Sequence, residues 1–187
     1  ITIAGPRARE VVARVVADDV SEAAFPFMGA RPMTLHSGLE GRLFRISFSG
    51  ELGFELAVPF RHGEAVADAL LEAGEPFGVV PYGLEALNVL RIEKGFLTHA
   101  EIDGRVTPGD LGLGKMVSEK KPDFIGKAML MREGMQRDDR GQLVGLVPLK
   151  PTQRILAGAH LLEPGAVPSM ANDQGHVASA CWSPHLE

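Results

Sequence analysis

The 187-residue sequence holds one cysteine, one tryptophan and one tyrosine. A lone thiol, Cys181, excludes an internal disulfide, and no secretory signal is expected. The expectation is a reduced, cytoplasmic protein. No stretch approaches the ~18 apolar residues of a membrane-crossing helix, so no membrane partner is expected. Nineteen Lys and Arg stand against 24 Asp and Glu, for a net charge of −5. That balance gives no electrostatic footprint for nucleic acid. The pair Lys120-Lys121 is too short for a binding stripe and reads as a solvated loop.

The usual catalytic signatures are missing as well. There is no G-x-G-x-x-G, no P-loop, no H-E-x-x-H and no Cys/His cluster at zinc spacing. The six histidines are scattered, and Cys181 beside Trp182 reads as a small buried hydrophobe rather than a nucleophile. What remains is ordinary globular material, 45% hydrophobic and 23% charged, which a packed core requires. The first residue is Ile1 rather than Met, already inside a strand pattern, so the chain is expected to be a piece of a longer polypeptide. Leu186-Glu187 reads as a possible vector remnant.

Periodicity then sets the elements. Ile1–Ala4 reads as a strand, and Gly5-Pro6 opens a helix whose Ala8, Val11, Val12, Val15 and Val16 share one face. Pro26 and Pro32 bracket a loop or short strand around Phe27-Met28. Phe44, Ile46 and Phe48 alternate with Arg45, Ser47 and Ser49, predicting a strand that turns through Ser49–Gly53 into a partner strand, Phe54–Val58. His62–Ala73 predicts a helix closed by Gly74, with Val66, Leu70 and Ala73 inward. Tyr82–Lys94 predicts a second helix closed by Gly95, so apolar that it should be well buried. Residues 96–121 read as an ordered irregular segment and 124–135 as a short helix. Short strands then follow at 143–148, 159–163 and 176–182. The fold class is α+β, with domains at 1–137 and 138–187 and a partial β-barrel in the second.

Few residues carry chemistry. Glu51 sits at the hairpin tip between Gly50 and Gly53, where a carboxylate can be offered to a ligand; an exposed turn glutamate is the simpler reading. Arg91 lies in the apolar helix, and a buried guanidinium must be paired, by a structural carboxylate or by a ligand. His99, Glu101, Asp103 and Asp110 lack calcium-loop spacing and read as turn and cap residues.

The ordered set of segments adds a family likeness. Gly5-Pro6-Arg7-Ala8-Arg9, residues 47–55 (Ser-Phe-Ser-Gly-Glu-Leu-Gly-Phe-Glu), residues 82–95 from Tyr82 to Gly95, Thr107-Pro108, residues 110–114 and residues 123–127 occur in this order. The sequence resembles the aminomethyltransferase (glycine-cleavage T-protein) superfamily. Residues 101–108 and Gly175-His176-Val177-Ala178-Ser179 favour its sarcosine oxidase α-subunit branch.

The resemblance implies a tetrahydrofolate-binding α+β unit followed by a β-barrel. In the complete oxidase, sarcosine is oxidised at a flavin of the β subunit, and folate in the α subunit captures the one-carbon unit as methylenetetrahydrofolate. Glycine and hydrogen peroxide are the other products. It implies FAD, FMN and NAD in the full hetero-oligomeric complex, outside these 187 residues. It places Glu51, Tyr82 and Arg91 at the folate site, with Glu51 holding the pterin, and puts the family's catalytic aspartate upstream. Two positions depart from the T-protein pattern: Leu52 replaces an acidic residue and Leu87 an arginine. An aminomethyltransferase working with a lipoyl carrier protein, and a non-catalytic folate-binding module, are the competing readings.

Overall fold

The computed structural model describes residues 1–118, 120–150 and 152–185. Leu186 and Glu187, read above as a possible vector remnant, lie outside the described residues. The described chain forms two compact units, 1–96 and 97–187.

The first unit is a four-stranded antiparallel sheet, β1 (Thr2–Ala4), β2 (Ala30–Thr34), β3 (Glu40–Phe44) and β4 (Gly53–Ala57), in the order β1-β4-β3-β2. Helices α1 (Ala8–Ala13) and α2 (Gly63–Gly74) belong to it, as does α3 (Leu84–Lys94). The valine pattern read from the sequence is the core pattern: Ala8, Val11, Val12, Val15 and Val16 are all buried. They meet Leu43, Phe54 and Leu56 of the sheet and Val66 and Leu70 of α2, with Ala73 packed at the edge. Phe25 stacks on Phe54 at 6.3 Å. Side chains of this size contribute roughly 1.5–3 kcal/mol each on full burial.

Three expectations are corrected here. Strand β2 runs through Pro32 rather than stopping at it. Because β2 is an edge strand, a residue without an N–H is tolerated there. The alternation at Phe44–Ser49 is not a strand beyond Phe44. The hairpin pairs Arg42 with Ala57 and Phe44 with Glu55, and the connection is the longer segment 45–52. The ladder ends at Phe44, and Phe48, four residues on, lies outside the sheet and stacks on Phe96 at 6.0 Å. Helix α3 is not well buried: Leu84 is 83% exposed, and Arg91 is the one buried residue of the helix. The core under the sheet is filled by α1 and α2, so the apolar residues of α3 have no place in it.

The second unit is irregular from Leu97 onward, as expected, with a helical turn at Gly114–Met116. The helix expected over 124–135 breaks into α4 (Lys127–Leu130) and a separate turn at Glu133–Met135, because Arg132 is extended. Of the expected strands, 143–148 is not one, and 176–182 is not one beyond His176, where the last strand ends rather than begins. Strands β5 (His160–Leu162) and β6 (Asp173–His176) pair antiparallel as an open two-stranded sheet. Among the described residues there is no closed barrel. Val177 is this unit's single buried hydrophobic residue in that set.

Candidate functional site

The connection 45–52 is built from both ends. At its start, Arg45 donates from Nη1 to the Gly53 carbonyl at 3.1 Å and lies over the rings of Phe27 and Phe54. At its end, Gly53 packs so closely on Ser47 and Ile46 that a Cβ would come within 2.9 Å of the Ser47 Cβ. Between them, Ser49 is buried, with its hydroxyl 3.1 Å from that of Ser47 and accepting the Glu51 N–H at 3.4 Å. Gly50 has φ +84°, and a Cβ there would lie 2.7 Å from Cγ and Cδ of Lys94. These contacts fix the backbone on both sides of Glu51, which is itself exposed. Leu52, by contrast, packs against the core.

Helix α3 supplies the neighbouring residues. Arg91 is 4% exposed, donating from Nε to Asn88 Oδ1 at 2.8 Å and from Nη1 to the Phe96 carbonyl at 3.2 Å. The helix closes at Gly95, φ +77°, whose N–H reaches the Ile92 carbonyl while that of Phe96 reaches the Arg91 carbonyl. This pair of bonds is the Schellman ending, and only glycine adopts its left-handed position without strain. The Phe96 ring then faces Phe48 in the Glu51 loop.

Tyr82 stands before the start of α3, partly exposed, and burial pushes its phenol above the ordinary 10. The helical rise of about 1.5 Å per residue separates Leu84 from Arg91 by about 10 Å along the axis. The structure therefore gathers the Glu51 loop at the Arg91 end of α3 and leaves Tyr82 at the other end. Sequence reasoning missed Phe48, Lys94, Asn88 and Phe96. The period-two pattern disguised Phe48 as a strand residue, whereas a glycine followed by an aromatic at a helix end was a legible signal for Phe96.

Other groups resolve differently. A cleft of about 870 Å³ lies in the first unit between the β2–β3 turn and α2, lined by residues that include His36, His62 and Glu72, and it contains none of the three expected site residues. In the second unit the acidic residues take turn amides, as read from the sequence: Glu101 accepts the Thr98 N–H and Asp103 the Arg105 N–H, each at 2.7 Å. Asp110 is buried and held by Arg140 Nε at 3.0 Å and the Thr107 N–H at 2.7 Å, with Arg140 lowering its carboxyl to about 2. His160 Nδ1 lies 2.9 Å from Asp173. Among the described residues, no group of three or more His, Cys, Asp and Glu side chains forms a metal centre, and no helix is long and apolar enough to cross a membrane.

Comparison with known proteins identifies the family. Residues 1–121 match the family model described as the GCVT N-terminal domain. Over all 187 residues the chain is 57% identical to the sarcosine oxidase subunit alpha of Rhizobium meliloti (strain 1021), covering 19% of that protein. It is 44% identical over its full length to the subunit alpha of Corynebacterium sp. (strain P-1), covering 20% of it. It is also 34% identical, over 78% of its length, to an aminomethyltransferase of Caldanaerobacter subterraneus subsp. tengcongensis, covering 38% of that protein. The chain spans about a fifth of the length of these α-subunits.

Proposed function

The chain belongs to the GCVT N-terminal domain family, and on that footing we propose that it is the tetrahydrofolate-binding part of a sarcosine oxidase α-subunit. The observation that carries the folate reading is the exposed Glu51 on a loop fixed by Ser49, by the close approach of Gly50 to Lys94 and by Phe48 against Phe96. A pterin presents its 2-amino group and a ring N–H as parallel donors, and a carboxylate answers them with two acceptors at matching spacing. Glu51 takes that role, and Tyr82 and Arg91 complete the folate-site assignment from the two ends of α3. Leu52 packs on the core instead of offering a second carboxylate, which favours the oxidase over an aminomethyltransferase.

In this reading the parent complex oxidises sarcosine with oxygen and passes the methyl carbon to tetrahydrofolate, giving glycine, hydrogen peroxide and methylenetetrahydrofolate. FAD, FMN and NAD supply the redox chemistry from parts of the complex outside residues 1–187, and the other subunits are the protein partners. This chain contributes no catalytic residue; its part is to bind and orient the acceptor. Residues 1–137 form the folate-binding domain and 138–187 part of a β-barrel, in a cytoplasmic enzyme. The hairpin β5–β6, with its unpaired edges, supports the barrel assignment.

Product analysis of the intact complex tests the assignment. With sarcosine, oxygen and tetrahydrofolate, methylenetetrahydrofolate forms; without folate, water takes its place and formaldehyde is released. Formaldehyde in equal yield with and without folate overturns the proposal.

A further inference from the structure

We infer that the stacked pair Phe48–Phe96, anchored from behind by Arg91, is a strut that sets the position of the Glu51 carboxylate, so that Phe96 and Arg91 are positioning residues for the pterin. The inference rests on the folate reading of Glu51. Its basis is the unequal burial of α3. Among that helix's side chains only the cation Arg91 is buried, at 4% exposure, while Leu84 stands 83% exposed. A buried guanidinium is costly unless its donors are used. Here two of them are used: Nε reaches back one turn to Asn88 within α3, and Nη1 reaches forward to the Phe96 carbonyl just beyond its end.

That anchoring acts on a ring. Phe96 follows Gly95 directly, and its backbone is tied at both its N–H and its carbonyl, so the point from which the ring projects is fixed. Phe48 stacks on it with planes 22° apart and centroids 6.0 Å apart. Phe48 lies three residues before Glu51, and the intervening Ser49 and Gly50 are themselves held, Ser49 by burial and Gly50 against Lys94. Movement at Arg91 therefore reaches Glu51 through two rings and a three-residue length of fixed backbone. A carboxylate that must meet two parallel donors is sensitive to such displacement, because both bonds lengthen together.

Calorimetric titration of the intact protein with tetrahydrofolate, in a double-mutant cycle, tests the strut. Phe96→Leu and Arg91→Lys each weaken folate binding about tenfold, near the upper worth of an aromatic pair. In a Glu51→Gln background the same changes weaken it less than twofold, since the group they position no longer matches the pterin. An undiminished tenfold loss in that background, or no loss in the parent, overturns the inference. Phe48→Leu, at a half-exposed position, gives the same coupling if Arg91→Lys fails to fold. Amide exchange separates this inference from the function it rests on. Phe96→Leu accelerates exchange across residues 46–52 while α1 and β4 stay protected. Unchanged loop exchange, with Glu51→Gln still impairing folate binding, sinks the strut alone. Unchanged folate affinity in Glu51→Gln sinks both.

Discussion

Arg91 and Phe96 are bonded in both directions: the Phe96 N–H donates to the Arg91 carbonyl at 2.8 Å, and Arg91 Nη1 donates to the Phe96 carbonyl at 3.2 Å. One bond is the normal ending of a helix at a left-handed glycine; the other is specific to an arginine at this position. Together they make the last turn of α3 a fixed support, and the loop bearing Glu51 leans on it through Phe48. In the proposed reading, the position of the exposed Glu51 is thus set by a buried residue.

The close packing of Gly50 gives the first prediction. Gly50→Ala places a Cβ at φ +84° and within 2.7 Å of the Lys94 side chain. The left-handed conformation alone costs about 1–2 kcal/mol, and the crowding adds to it. Denaturant unfolding should show this loss, and Lys94→Ala in the same protein should recover the crowding part but not the conformational part. Full recovery would show that φ at Gly50 is not strained by a side chain.

Tyr82 is the sole tyrosine, so its titration can be followed without overlap in the near-ultraviolet. Burial disfavours the phenolate, and the midpoint should lie above 10. The raised value means that the stability it contributes is present below pH 10 and is lost as pH rises past the ordinary phenol range. A midpoint at or below 10 would place the ring in open water.

Asp110 and Arg140 should dominate the acid sensitivity of residues 97–187. The Asp110 carboxyl is held at about 2, chiefly by Arg140, against an ordinary 3.8. The depressed value means that roughly 2 kcal/mol of stability is fully present above pH 4 and disappears as pH falls through 2. Arg140→Ala should destabilise the protein near neutrality, because it leaves a buried carboxylate without its cation. With Val177 the one buried hydrophobic residue described in that unit, little else would absorb the loss. Unfolding at neutral pH and a carboxyl titration of Asp110 check both statements; a carboxyl midpoint near 4 would refute the second.

Legibility in the sequence followed what each pattern measures. Ala8, Val11 and Val12 of α1, and Val15 and Val16 in the turn and bridge that follow where the sequence pattern continues the helix, were readable because they pack into the core, and Gly95 was readable because a helix ending makes a local demand on φ. The alternation through Phe48 misled because period two reports which side chains could share a face, not whether the backbone stays in a sheet. Phe48 found a better partner in Phe96, 48 residues away. Helix α3 misled for a related reason: its composition is that of a buried helix, but α1 and α2 fill the core. Glu51 and Arg91 were legible as candidates, whereas the connection between them runs through contacts distant in sequence.

The central claim is that Glu51 grips the pterin, and calorimetric titration of the intact Glu51→Gln protein with tetrahydrofolate tests it most directly. The substitution keeps the size but turns one acceptor into a donor facing a ligand donor. Charge-assisted hydrogen bonds contribute about 1.5–3 kcal/mol each, so affinity should fall roughly tenfold to a hundredfold. Sarcosine oxidation should continue, with formaldehyde released where methylenetetrahydrofolate would have formed. Folate affinity unchanged in a folded Glu51→Gln protein would contradict the account and return Glu51 to an exposed loop residue.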